Sequence, residues 1–256
     1  MVLALHGLAV TLSLAFATWA VSVAKRDVSI VDSVWSLMIL GAGLGYVLAV
    51  STPGPRTPWV LPLAALWAVR LCVYITSRNW GGPEDRRYRA IRDRNQPGFA
   101  LKSLYLVFGL QALLAWIVSA PLLAAVESSA AEDWLDAFGA TVALFGIAFE
   151  TIADWQAARW RARRPARDSV LQDGLWRYSR HPNYFGECCM WWGFGLAALA
   201  AGAWWALVSP LVMTVLLLRV SGVALLEKDL NARKPAYGDY ARRTNAFFPG
   251  PPREIP

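Results

Sequence analysis

Histidine, cysteine and charge are all scarce in this chain. His6 and His181 are its two histidines, and with three cysteines among 256 residues they leave too few ligands for a zinc site. Cys72, Cys188 and Cys189 lie in apolar sequence and are odd in number. Two of them are neighbours that would point in different directions on a helix, so a disulfide framework is excluded as well. Buried, inert thiols are the expectation. No GxGxxG follows a strand-like run, which excludes a dinucleotide site of the Rossmann type. Repeats, heptads and low-complexity tracts are absent. Charged residues make up 17% of the chain, against roughly a quarter in soluble domains. The net charge of +7 does not point to nucleic acid, because the basic residues sit in the gaps between apolar runs. Neither a metal nor nucleic acid is expected as a partner.

What is abundant is apolar. Hydrophobic residues reach 56%, tryptophan alone numbers 14, and the mean hydropathy is +0.36. Seven apolar runs are legible, at residues 2–24, 28–50, 59–76, 103–126, 137–158, 184–200 and 204–226. A bilayer core needs about 20 such residues per helix. The expected fold is therefore all-α: one polytopic integral membrane bundle of about seven transmembrane helices over residues 1–256. The first run lacks a basic leader and a small-residue cleavage site, so it reads as a retained helix and not as a signal peptide.

The charges fix an orientation. Seven crossings put the connection after the first run, the polar stretches 77–102 and 159–183, and the tail after residue 227 on one side. That side holds nearly every Lys and Arg outside the runs, whereas the other holds Arg56 and the acids Glu127, Glu132, Asp133 and Asp136. Positive-inside topology then gives an outside N-terminus and a cytoplasmic C-terminus. The expected location is a bacterial inner membrane, with membrane lipids around the helices.

One stretch is chemically dense. Residues 174–187, GLWRYSRHPNYFGE, carry Trp176, Arg177, Tyr178, Arg180, His181, Asn183, Tyr184 and Glu187 at the mouth of an apolar run. Pro182 suits a first helical turn, and Asn183 and Glu187 then share one face at i and i+4. Elsewhere Asp32, Arg70, Glu150, Asp154, Glu187 and Arg219 fall within apolar runs, where a charge costs about 2.5–3.5 kcal/mol on insertion scales and marks a functional candidate. Arg70, Tyr74 and Arg78 stand at i, i+4 and i+8 on one stripe that points to the cytoplasm. Together with Asn79, Arg161, Arg164, Glu227 and Tyr240 these residues converge on the cytoplasmic side. Basic loops, carboxylates and amides in one place suit a nucleotide cofactor, with phosphates on Arg, adenine stacked on Tyr, and a carboxamide bonded by Asn and Glu. The arginine excess favours NADPH.

The motif GLWRYSRHPNYFGE, its apolar continuation, and YGDYARRTNAFFP near the end resemble the DUF1295 membrane proteins of the steroid 5-alpha-reductase superfamily, most strongly over residues 149–249. The resemblance implies NADPH in a cytoplasm-facing cavity, with 149–249 as the cofactor-binding half. It also implies reduction of a carbon–carbon double bond conjugated to a carbonyl in a hydrophobic lipid or steroid-like substrate. The family's cofactor positions are matched by Asn183, Gly186 and Glu187, by Asp154 with Arg161 or Arg164, by Arg70, Tyr74, Arg78 and Asn79, and by Arg219, with Glu227 where steroid reductases place a tyrosine. Tyr178, Arg180, His181, Tyr184 and Tyr240 complete the expected cofactor set. Where steroid reductases place a glutamate on the second helix this chain has Asp32, and Trp67 stands at their early third-helix tyrosine. Cofactor binding therefore carries over further than steroid specificity.

The expected chemistry is hydride transfer to the β-carbon of the enone, with Asp32, if protonated, or Tyr74 donating a hydrogen bond to the developing enolate. Trp35 and Trp67 are the candidate lining of the substrate cavity. The RHPxY element is also similar to that of isoprenylcysteine and phospholipid methyltransferases, which use S-adenosylmethionine. Their Glu-Glu pair is replaced here by Glu227-Lys228.

Overall fold

In a computed structural model of the chain, residues 2–163, 166, 168–220, 223, 227 and 235–253 are described; among them all regular structure is helical. Five helices are long and apolar enough to cross a membrane: Val2–Lys25, Ile30–Leu48, Thr57–Asn79, Phe99–Val118 and Trp134–Ala162. A count of seven rests further on Pro182–Ala200, which carries Asn183, Glu187 and three glycines, and on the shorter apolar stretch Trp204–Val220. The chain divides into two compact units. Residues 1–133 and 197–209 form the first, and residues 134–196 and 210–256 the second.

In the first unit, α1 (Val2–Lys25) and α2 (Ile30–Leu48) meet at a short turn in which Arg26 adopts φ 54°. Asp27 shapes that turn, its Oδ1 accepting from the Ser29 backbone N–H at 2.9 Å. Higher up, Gly7 gives room for the Tyr46 ring, and the Tyr46 hydroxyl bonds to Ser119 Oγ at 2.8 Å. Helix α3 (Thr57–Asn79) opens with a proline in its first turn, where no N–H is needed. Before it, Arg56 is fully buried, donating to the carbonyls of Ala130 at 2.8 Å and Ala131 at 3.1 Å. Met38, Ile39, Ala42 and Trp67 fill the core.

The polar stretch after α3 contains a helix, α4 (Arg86–Arg94), capped by the Asp85 carboxylate, which accepts from the Arg87 backbone N–H at 2.8 Å. The fourth apolar run starts earlier than its composition indicates, with α5 (Phe99–Ser103). It passes through a π-helical turn (Leu104–Gly109) into α6 (Leu110–Val118). It then breaks at Ser119 before α7 (Ala120–Glu127), because Pro121 has no N–H to carry the helix on.

The second unit is built on α8 (Trp134–Ala162) and α9 (Pro182–Ala200). These two run antiparallel with their backbones in contact. A Cβ on Gly146 would stand 2.5 Å from the Gly186 carbonyl oxygen, and one on Gly193 would stand 2.6 Å from that of Gly139. Small residues at seven-residue spacing on both helices permit this approach. Helix α10 (Val208–Val215) is tied to α9 where Trp192 Nε1 donates to Thr214 Oγ1 at 3.2 Å. A π-helical turn (Leu216–Val220) follows, and the tail carries α11 (Pro235–Arg243).

Candidate functional site

The dense stretch and the tail are two halves of one hydrogen-bonded assembly. Gly174 takes φ +62° and lies against the Gln156 side chain of α8, where Gln156 Oε1 accepts from the Leu175 N–H at 2.9 Å. Trp176 Nε1 donates to the Ala153 carbonyl at 3.1 Å, so the stretch is docked on α8 before α9 begins. The tail then closes over it. Backbone bonds join Arg180 N–H to the Asn245 carbonyl at 2.9 Å and Gly250 N–H to the Tyr178 carbonyl at 3.0 Å. Ser179 Oγ donates to the Phe247 carbonyl at 2.8 Å, and the buried Tyr240 hydroxyl donates to the Trp176 carbonyl at 2.6 Å. Phe185 packs edge-on against Phe149, Phe247 and Phe248.

Arg180 lies at the centre of that closure. It grips Glu227 with both edges of its fork, Nε to Oε1 at 2.7 Å and Nη2 to Oε2 at 2.9 Å, while Nη1 donates to the carbonyls of Ala241 and Thr244. His181 adds Nε2 to Glu227 Oε1 at 3.3 Å and stacks flat on Tyr184. Burial alone would raise the Glu227 carboxyl, but the hydrogen bonds from His181 and Arg180 and the guanidinium charge hold it at about 2. Arg180, expected in the cofactor set, thus has its fork occupied by four hydrogen bonds to protein. His181, Tyr240 and Glu227 are likewise engaged in joining the tail to the α9 entrance.

The other candidates of this unit are mostly on the helices. Glu150 and Asp154 of α8 and Glu187 of α9 are all buried. Gly186 sits against the Glu150 backbone, and the antiparallel register places Asp154 level with the α9 entrance. Asn183, half-buried one turn above Glu187, makes no side-chain hydrogen bond with another described residue. Arg161, Arg177, Tyr178 and Arg219 are exposed, and Arg164 lies outside the described residues.

In the first unit, Arg70 and Tyr74 are half-buried and Arg78 is exposed, its guanidinium carbon 6.0 Å from the Tyr74 ring centroid. Arg78 Nε donates to Asn79 Oδ1 at 3.1 Å. Trp67 is fully buried, and Trp35 Nε1 donates to the Gln111 carbonyl at 3.2 Å.

Asp32 is differently placed from the expectation. Its Oδ2 accepts from Arg87 Nη2 at 2.8 Å and its Oδ1 from the Tyr88 hydroxyl at 2.5 Å. Asp32 thus stands between a guanidinium and a phenol at the entrance of α2, with both donating to its carboxyl group. The pair belongs to a network, in which Arg92 grips Glu84 through Nε and Nη2, and Glu84 Oε1 also accepts from the Val28 N–H at 2.8 Å. Burial would raise the Glu84 carboxyl, but the Arg92 hydrogen bond, the Val28 N–H and the Arg92 charge lower it. Sequence reading missed Arg87, Tyr88, Glu84 and Arg92. The signal was the acidic pair Glu84-Asp85 just ahead of a basic run, which is a helix start. Among the described residues no group of three His, Cys, Asp or Glu side chains is placed to hold a metal ion.

Compared with known proteins, residues 18–244 match the family described as Protein of unknown function (DUF1295). The chain belongs to the DUF1295 family. An uncharacterized protein of Schizosaccharomyces pombe is 27% identical to this DUF1295 chain over 286 residues, covering 95% of it and 78% of the yeast protein. No solved structure matches.

Proposed function

We propose that this DUF1295 protein is an NADPH-dependent membrane reductase, acting on the double bond of an α,β-unsaturated carbonyl in a lipid or steroid-like substrate. The likeness of its two motifs to the steroid 5-alpha-reductase superfamily supports the reading. The observation that carries it is the α9 entrance, where buried Glu187 stands one turn from an Asn183 side-chain amide that makes no hydrogen bond with another described residue. An amide and a carboxylate side by side offer a donor and an acceptor, the complement of a nicotinamide carboxamide. Buried Asp154 at the same level is suited to ribose hydroxyls. With Arg180 engaged, the arginines of the second unit for phosphate are Arg161, Arg177 and Arg219. The residues thus fit the cofactor, with the phosphate set shifted away from Arg180.

Bound NADPH would supply the hydride. Of the two donors considered, Tyr74 takes the role at the substrate carbonyl, and Asp32 holds Arg87 and Tyr88 at the entrance of α2. Trp35 and Trp67 stay the candidates for contact with a hydrophobic substrate, Trp67 from within the core. Seven crossings, an outside N-terminus and a cytoplasmic cofactor side complete the reading, on the distribution of Lys and Arg.

A second reading, methyl transfer from S-adenosylmethionine, rests on the same RHPxY element. Thermal unfolding of the detergent-purified chain, titrated with NADPH, NADH and S-adenosylmethionine, separates them. A ligand at 100 times its Kd adds about 2.7 kcal/mol. Stabilisation by NADPH that disappears in Asn183→Ala and Glu187→Ala is the expected outcome. Stabilisation by S-adenosylmethionine alone sinks the reductase. Activity surviving Asp32→Asn but lost in Tyr74→Phe is expected of the donor assignment.

A further inference from the structure

Helix α8 has a second face, opposite the one that buries Glu150 and Asp154. Phe138, Phe145 and Ile152 recur on it at seven-residue spacing and are 53%, 50% and 47% exposed. The next step of seven is Arg159. An apolar stripe this open, on a helix of membrane-crossing length and composition, lies against lipid acyl chains. It ends, about 10 Å below Ile152, in a cleft of about 300 Å³ lined by Trp155, Arg159, Trp160 and Arg163 and closed by the segment 171–174.

We propose that this cleft binds the phosphodiester headgroup of an anionic phospholipid, with one acyl chain lying along the Phe138–Phe145–Ile152 stripe. Two observations converge on it. Arg159 in the last turn of α8 and Arg163 in the turn just past its end both line the cleft where the apolar stripe stops. Arginine forks match phosphate oxygens in pairs. Trp155 is 56% exposed and carries the Arg159 guanidinium carbon 5.4 Å from its ring centroid, which is the aromatic-and-basic composition of a membrane interface. Asp173 on the rim and the carbonyl end of α8 oppose an anion. Two full positive charges exceed them, and an acidic rim suits the hydroxyls of a glycerol headgroup better than a second phosphate. Nothing in this assignment uses the residues given to the cofactor, so it stands or falls apart from the reductase reading.

The test is thermal unfolding of the full chain, in nanodiscs of phosphatidylcholine alone and of phosphatidylcholine with one-third phosphatidylglycerol. Native mass spectrometry then counts the phosphatidylglycerol retained. The wild type is expected to unfold at higher temperature with phosphatidylglycerol and to retain one such lipid. Arg159→Gln/Arg163→Gln is expected to unfold normally in phosphatidylcholine and to hold phosphatidylglycerol roughly thirtyfold more weakly, at about fivefold per arginine. Arg159→Lys/Arg163→Lys should recover part of that loss. Equal wild-type stability in the two nanodiscs overturns the proposal without any variant. So does a double Gln variant that keeps the preference. Equal stabilisation by soluble glycerophosphate in phosphatidylcholine nanodiscs also overturns it, because the cleft would then read free phosphate and not a lipid.

Discussion

Removing one charge from the Arg180–Glu227 pair leaves the other partly buried without its counter-ion. Glu227→Gln is expected to cost about 2 kcal/mol, the range for a charge-assisted hydrogen bond left half made. Arg180→Lys should cost nearly as much, since an ammonium cannot hold both carboxylate oxygens and two carbonyls at once. Thermal melts of both variants, with trypsin cleavage of the tail as a local readout, check this. The pair also sets an acid limit. The Glu227 carboxyl is depressed from an ordinary 4.5 to about 2, so its contribution is complete above pH 4.5 and is lost as pH falls towards 2. Loss of tail protection across that window is expected in the wild type and not in Glu227→Gln. In the first unit, Tyr88→Phe removes the hydroxyl that Asp32 accepts from, and is expected to cost about 1–2 kcal/mol by thermal melt.

At the scale of elements, the α8–α9 contact is backbone on backbone. Gly146→Ala would place a methyl 2.4 Å from the Met190 nitrogen, and Gly186→Ala would place one 2.6 Å from the Glu150 nitrogen. Neither neighbour is a flexible side-chain tip, so the helices must part. A loss of about 1–3 kcal/mol or more is expected in each, by thermal melt. Gly238→Ala is the contrasting case. Its new methyl meets nothing within 4 Å on α11, so a gain of up to about 1 kcal/mol is expected from helix propensity. The helices themselves were legible because apolar length is a strong signal. The break at Ser119 was less so, since Pro121 sits inside an otherwise unbroken apolar run. Helix α4 was hidden by its charge: nine residues with five arginines read as a loop until Asp85 is seen capping them. The site was legible by residue type but not by use. Arg180 and Arg177 look alike in RYSR, and only the fold shows that one is bonded to Glu227 and two carbonyls while the other is exposed.

For the molecule as a whole, five apolar helices of crossing length make extraction a matter of detergent. The chain is expected to stay in the membrane pellet after an alkaline carbonate wash, and release into the supernatant would refute a membrane-spanning fold. Reporter fusions at residue 130 and after residue 253 are expected on opposite faces of the membrane. The hydrogen bonds between residues 174–182 and the tail carry a further consequence, for biosynthesis. Residues 237–253 leave the ribosome several seconds after the stretch they bind. During that interval the mouth of α9 is already made, with Arg180 lacking its counter-ion. A nascent chain arrested before Glu227 would expose that vacancy to quality-control proteases, and completion of synthesis would remove the signal.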